Sequence, residues 1–279
     1  FDVVVSNPPF SVDLDNDTKT TLSTSFLFGD KRNSENLFIE RYYHLLREGG
    51  RMGIVLPESI FDTTENKYIR LFIYKYFKIK AVVSLPQVTF APFTPTKTSI
   101  LFAQKKTAPE IEQWNTLWNE KANEYGRLKT RCENLCAVAD GKKQKANLKS
   151  IKDLTPEEER ECLLHLLRTL IPKRDRDLSA TEIIIKYREQ IESVCKIDKD
   201  TRNVFGFVNT WWVFGEVAKD LSYPIFMAEA EHIGYKRTKR SEQKRPNDLY
   251  RIDEKGMVLV DDNVKETILD YMREINWEN

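Results

Sequence analysis

Short apolar runs alternate with stretches of helical spacing along the first hundred residues. Residues 1–6, 51–56, 79–85 and 98–103 are brief and mostly apolar, and the first three lead into Asn7-Pro8, Pro57 and Pro86, the pattern of strands buried in a largely parallel sheet. Between them, Phe38, Tyr42, Leu45 and Leu46 predict an amphipathic helix over 34–48 that Gly49-Gly50 ends. Ile69, Phe72, Ile73 and Tyr76 predict a second helix over 65–77. The order strand, helix, strand, helix, strand, strand predicts an α/β fold with a partial doubly wound sheet, its last strand pairing antiparallel without an intervening helix. Ligands of such sheets sit beyond the carboxyl ends of the strands, where Asn7, Pro57 and Pro86 all fall.

From about Thr107 the pattern becomes helical. Ile111, Trp114, Trp118, Tyr125, Leu128 and Leu135 recur at spacings that predict one long helix or a helical hairpin. Pro156 opens a Glu-rich first turn for the apolar run Cys162 to Ile171, and Ser179 is placed to cap a helix through Val194. The aromatic stretch 196–216, with Phe205, Phe207, Trp211, Trp212 and Phe214, fits core packing better than contact with DNA. Strand-like character resumes at Tyr223 to Ala228. The expected organisation is therefore one α/β domain from 1–106 and 221–279, with 107–220 as a mostly helical insertion or interaction module.

With 41% hydrophobic and 31% charged residues in 279, the chain has the composition of a soluble globular protein. No apolar run approaches the roughly 18 residues that span a bilayer, so no membrane partner is expected. Cys132, Cys136, Cys162 and Cys195 form no Cys-x-x-Cys pair and only three histidines accompany them, which gives no zinc or disulfide pattern and fits a reduced cytoplasm. The net charge of +1 exerts no global pull on nucleic acid. Basic stretches at 127–152 and 236–251 are local exceptions. The second, with Lys236, Arg237, Lys239, Arg240, Lys244 and Arg245, is the better candidate for DNA phosphates.

The chemistry concentrates at Asn7-Pro8-Pro9-Phe10. Two prolines remove two backbone donors and fix φ, leaving nearby carbonyls without a ladder to join. Asn7 adds a side-chain acceptor and Phe10 a ring on which a base can stack, a set that fits the exocyclic NH2 of a purine. Asp13 and Asp15 are given no catalytic role.

This strand and loop resemble the S-adenosylmethionine-dependent N6-adenine DNA methyltransferases. Two further segments share the resemblance: Gly49 through Pro57, and Leu85-Pro86 through Phe90 followed by Thr96 to Phe102. Ile225 to Ala228, Ile233-Gly234-Tyr235 and Asn247-Asp248-Leu249 resemble the modification subunits of type I restriction-modification systems. The resemblance covers about 1–106 and 221–250. It implies a methyltransferase-type, Rossmann-like sheet and a catalytic loop of Asn7, Pro8, Pro9 and Phe10. It implies stacking of a flipped-out adenine by Phe10 and Phe90, with Phe93 in reserve. S-Adenosyl-L-methionine is the implied cofactor, with Asn7 beside the methyl donor. Double-stranded DNA and a specificity subunit are the implied partners, with a restriction subunit as a further candidate.

The family's Gly-rich donor motif is missing, and Gly49-Gly50 offers no substitute. With Phe1 already inside a strand, the expectation is a carboxy-terminal portion of a longer chain, inactive by itself. The alternatives are a methyltransferase acting on RNA or protein glutamine, and a non-catalytic assembly module.

Overall fold

The computed structural model describes residues 1–10, 12–30 and 34–277, and Ser11, Lys31, Arg32, Asn33, Glu278 and Asn279 lie outside them. The chain separates into two compact units, Phe1–Ile111 with Tyr223–Asn279, and Glu112–Ser222.

The first unit begins with β1 (Val3–Ser6), α1 (Asn16–Leu22), α2 (Ser34–Leu45), β2 (Arg51–Pro57), α3 (Ser59–Asp62), α4 (Lys67–Tyr76), β3 (Phe77–Ser84) and β4 (Thr98–Lys105). After β4 comes α5 (Ala108–Ala139), whose 32 residues form a single continuous helix and not a hairpin. The helices α6 (Pro156–Leu167), α7 (Ala180–Lys186), α8 (Arg188–Cys195), α9 (Arg202–Phe205) and α10 (Thr210–Asp220) complete the second unit. The chain then returns to the first unit through β5 (Phe226–Glu229), β6 (Ile233–Arg237), β7 (Glu242–Asn247), β8 (Arg251–Ile252), β9 (Val258–Leu259) and α11 (Ile268–Met272).

The central sheet has the order β1-β2-β4-β3-β5. β1 runs parallel to β2 and β3 parallel to β5, while β4 lies antiparallel between β2 and β3. The reversal follows from the missing helix: the chain leaves β3, turns through 85–97 and re-enters the sheet at the same end. Alternation buries both faces of the sheet: Met52, Ile54 and Leu56 of β2 with Leu101 and Ala103 of β4 on one, and Ala81 and Val83 of β3, which pair with Phe102 and Ile100, on the other. Ile39 of α2 and Ile69, Leu71, Phe72 and Ile73 of α4 are buried as well. The turn into β2 needs Gly49, whose φ of +70° lies in the left-handed region where a Cβ is strained.

In the second unit, Trp114, Trp118, Tyr125, Leu128, Cys132 and Leu135 form the buried stripe of α5. The aromatic stretch is held there by main-chain acceptors: Trp118 Nε1 donates to Phe205 O at 3.0 Å and Trp212 Nε1 to Leu166 O at 3.1 Å. Phe207 is the exception, at 72% exposure. Ser179 caps α7 with Glu182 in a reciprocal capping box, but the helix expected to continue through Val194 breaks at Tyr187. The buried Tyr187 donates its hydroxyl to Asp175, which also pairs with Lys186, so tertiary contacts override helical propensity at that residue. Among the described residues no helix is long and apolar enough to cross a membrane, and no His, Cys, Asp or Glu cluster could hold a metal ion.

Candidate active site on the carboxyl rim of the sheet

β1, β2, β3 and β5 share one direction, so their carboxyl ends open on one rim. Ser6 pairs with Ile54, Pro57 with Thr98, and Ser84 with both Ser99 and Glu229. Asn7, Glu58 and Leu85 therefore leave the sheet on the same side. The last residue of β1 is fixed to α2 by a 2.6 Å hydrogen bond between Ser6 Oγ and Tyr42 Oη. Beyond it, Asn7 is exposed, Pro8 buried, Pro9 exposed and Phe10 half-buried. Ser34 Oγ donates to the Pro9 carbonyl at 3.4 Å, which ties the loop to the start of α2. Among the described residues neither the Asn7 side chain nor the Pro8 carbonyl has a hydrogen-bond partner, leaving both acceptors available at the rim.

Phe10 meets Phe90 edge to face, with ring centroids 5.6 Å apart and planes at 74°. Phe90 stands on a run of overlapping turns between β3 and β4. Thr89 donates to Pro86 O from both its N–H (3.0 Å) and its hydroxyl (2.6 Å), and Phe93 and Thr94 both donate their N–H to Phe90 O at 2.9 and 3.1 Å. Phe93, the reserve stacking residue, is 85% exposed and has no ring partner among the described residues. Thus Phe10 and Phe90 are brought together, and Phe93 stands apart from them.

The acids near the loop have other duties. Asp15 caps α1 by accepting from Thr18 N–H and Thr18 Oγ1, each at 2.8 Å, and these bonds hold its carboxyl below the usual carboxylate range. Glu58, not singled out from the sequence, sits at the rim directly after Pro57 and accepts from Ser99 Oγ at 2.9 Å. It lines a largely apolar cavity of about 230 Å³ with Ser84, Ser99, Ile73, Leu101 and Met227. The one signal in the sequence was an acid placed immediately after a strand-ending proline.

The basic stretch 236–251 opens as a β6–β7 hairpin. Arg237 pairs with Glu242 across the ladder and lies 4.7 Å over the Tyr235 ring, while Arg245 donates to Gln243 Oε1 at 3.0 Å. Lys236, Lys239, Arg240, Lys244 and Arg245 have no ion pair among the described residues. Ile233-Gly234-Tyr235 and Asn247-Asp248-Leu249, separate in sequence, join here: Ile233 pairs with Asn247, and Asp248 Oδ2 accepts from the N–H of Glu231 and of His232, each at 2.8 Å. In the other basic stretch, 127–152, Lys129, Lys142, Lys145 and Lys152 form ion pairs with Glu133, Asp140, Glu159 and Asp153.

A sulfonium methyl donor would require a cradle at the rim beside Asn7. Gly49-Gly50 cannot supply it, because Gly49 N–H donates to Lys105 O and Arg51 pairs with Val3 at the amino end of the sheet, opposite Asn7. Gly49-Gly50 thus does not fit a donor cradle, whereas the rim presents the acceptors of Asn7 and Pro8 and the rings of Phe10 and Phe90.

Residues 1–154, more than half of the chain, match the family model for N-6 DNA methylases. Over 114 residues the chain is 29% identical to the type I restriction enzyme EcoEI methylase subunit of Escherichia coli, covering 40% of this chain and 22% of that protein. Over 160 residues it is 28% identical to the type I restriction enzyme MpnII methylase subunit of Mycoplasma pneumoniae, covering 53% and 29%. The chain thus spans less than a third of the length of these curated relatives. The crystal structure of the type I restriction enzyme EcoKI M protein aligns over 39% of this chain and 21% of that one, at a TM-score of 0.31 and 24% identity.

Proposed function

This chain belongs to the N-6 DNA methylase family, and on that premise we propose that it carries the base-holding part of an enzyme that methylates adenine N6 in double-stranded DNA, using S-adenosyl-L-methionine. The observation that carries the proposal is the meeting of the Asn7-Pro8-Pro9-Phe10 loop with Phe90 on the carboxyl rim, beside two unclaimed acceptors.

The chemistry asked of these residues is modest and specific. Adenine N6 is a poor nucleophile because its lone pair is delocalised into the ring. Accepting both N–H bonds, one at Asn7 Oδ1 and one at Pro8 O, favours a pyramidal nitrogen whose lone pair is localised. An adenine within a duplex is out of reach, so it is flipped out at about a few kcal/mol of unstacking. Contacts with Phe10 and Phe90 offset this at about 1–3 kcal/mol per stacked base.

In the same proposal, Lys236, Lys239, Arg240, Lys244 and Arg245 contact backbone phosphates. Such contacts orient DNA without reading sequence. Sequence choice then falls to a separate specificity subunit, as in a type I modification enzyme, and the mostly helical 107–220 stretch is its docking module. The proposed site of action is the cytoplasm. The test supplies duplex DNA, RNA and protein as methyl acceptors to the full-length protein with its partner subunits. The expected product is N6-methyladenine in duplex DNA alone, and transfer only to RNA or to glutamine would overturn the assignment.

A further inference from the structure

We infer that Tyr235 is a positioning residue that braces the basic hairpin against the aromatic pocket, so that phosphate engagement by the hairpin and base capture by Phe90 are coupled; this rests on the site assignment above. The connection is continuous. Tyr235 Oη donates to the Thr89 carbonyl at 3.3 Å, and Thr89 precedes Phe90 in the chain. Thr89 is buried and already holds Pro86 O with two donors, so a bond to its own carbonyl restrains the turn that carries Phe90. The Arg237 guanidinium lies 4.7 Å over the ring and is itself paired with Glu242.

The backbone of the hairpin is shaped for this brace. Between the pairs Ile233–Asn247 and Tyr235–Lys244, β6 advances by two residues and β7 by three, leaving a bulge. Bulges re-aim side chains next to sites. The strand accommodates it through Gly234, whose φ of +88° favours glycine and whose α-carbon faces Asn247. The Tyr235 ring packs against the Val83, Leu85 and Ile233 cluster at the carboxyl end of β3, which fixes its direction. Packing alone would be served by phenylalanine, so the hydroxyl and its bond to the Phe90 turn are what the tyrosine adds.

The cations divide accordingly. Arg237 belongs to the brace, since its charge faces Glu242 and the Tyr235 ring. Lys244 is the cross-strand neighbour of Tyr235 and has no ion pair among the described residues. A phosphate drawn to Lys244 therefore bears on the residue that holds the Phe90 turn.

The test uses the full-length protein with its partner subunits and a duplex carrying 2-aminopurine at the target position, whose fluorescence reports flipping. Tyr235→Phe should lower both the flipped fraction and kcat by about 3- to 10-fold, the worth of one neutral hydrogen bond, with DNA affinity and its salt dependence unchanged. Lys244→Gln should weaken binding and reduce the salt slope by about 1. The double variant should depart from the product of the single effects. Should Tyr235→Phe also lower the melting temperature, Arg237→Gln decides: reduced flipping at unchanged stability sustains the coupling, and unchanged flipping overturns it. Asn7→Ala serves as control. A Tyr235→Phe enzyme with normal flipping and kcat beside an inactive Asn7→Ala enzyme overturns the inference alone, whereas an active Asn7→Ala enzyme overturns the site assignment itself.

Discussion

Phe90 and Phe93 are three positions apart on one loop, yet the fold separates them: Phe90 lies against Phe10, and Phe93 projects away at 85% exposure. Removing a ring that stacks on a flipped base costs about 1–3 kcal/mol, so Phe90→Ala should reduce 2-aminopurine flipping by roughly 5- to 150-fold. Phe93→Ala should change it by less than about twofold, since no pocket contact is lost. Equal effects of the two substitutions would place the pocket elsewhere. The Asn-Pro-Pro-Phe loop was legible from residue chemistry, because prolines advertise unladdered carbonyls wherever they stand. The partnerships Glu58–Ser99 and Tyr235–Thr89 were not, because they join residues 41 and 146 positions apart and leave no local trace.

At the scale of elements, apolar runs and helical spacing located β2, β3, β4, α2 and α4 close to their observed bounds, and the helix-free link between the last two strands implied the antiparallel β4. Strand β7 gave no strand signal of its own in the sequence, since its exposed residues carry no apolar alternation. The end of this region shows how polar joints take over where apolar burial is thin. Burial alone would raise the Asp270 pKa, but hydrogen bonds from the Thr267 hydroxyl and N–H, from Glu266 N–H and from Arg251 outweigh it and bring the carboxyl down to about 2. A carboxylate depressed on folding contributes stability that is complete above its unfolded value near 3.8 and is lost as the pH falls toward 2. Asp270→Asn should therefore be less stable than the parent at neutral pH and should lose less on acidification from pH 4 to 2. Parallel decline of the two melting temperatures over that window would contradict this account of the α11 joint.

For the whole molecule, a net charge of +1 gives the protein no general attraction to DNA, so any affinity for it has to be local, and the β6–β7 hairpin gathers cations without ion pairs among the described residues. The hairpin joins the unit that bears the rim, and its base is hydrogen-bonded to the loop of Phe90. The second unit is built around the buried aromatic stripe of α5, and Lys129, Lys142, Lys145 and Lys152 of its basic stretch are held in ion pairs within the unit. In the proposed function, substrate handling and subunit docking fall to different parts of the chain. The central claim is that Asn7 holds the amine that receives the methyl group. Transfer of labelled methyl from S-adenosylmethionine to duplex DNA, measured for Asn7→Ala in the full-length protein with its partners, tests it most directly. The account predicts a loss of at least about 100-fold in transfer with DNA affinity unchanged, the scale expected when one preorganised polar contact to the reacting group is removed. Transfer at the parent rate would contradict it.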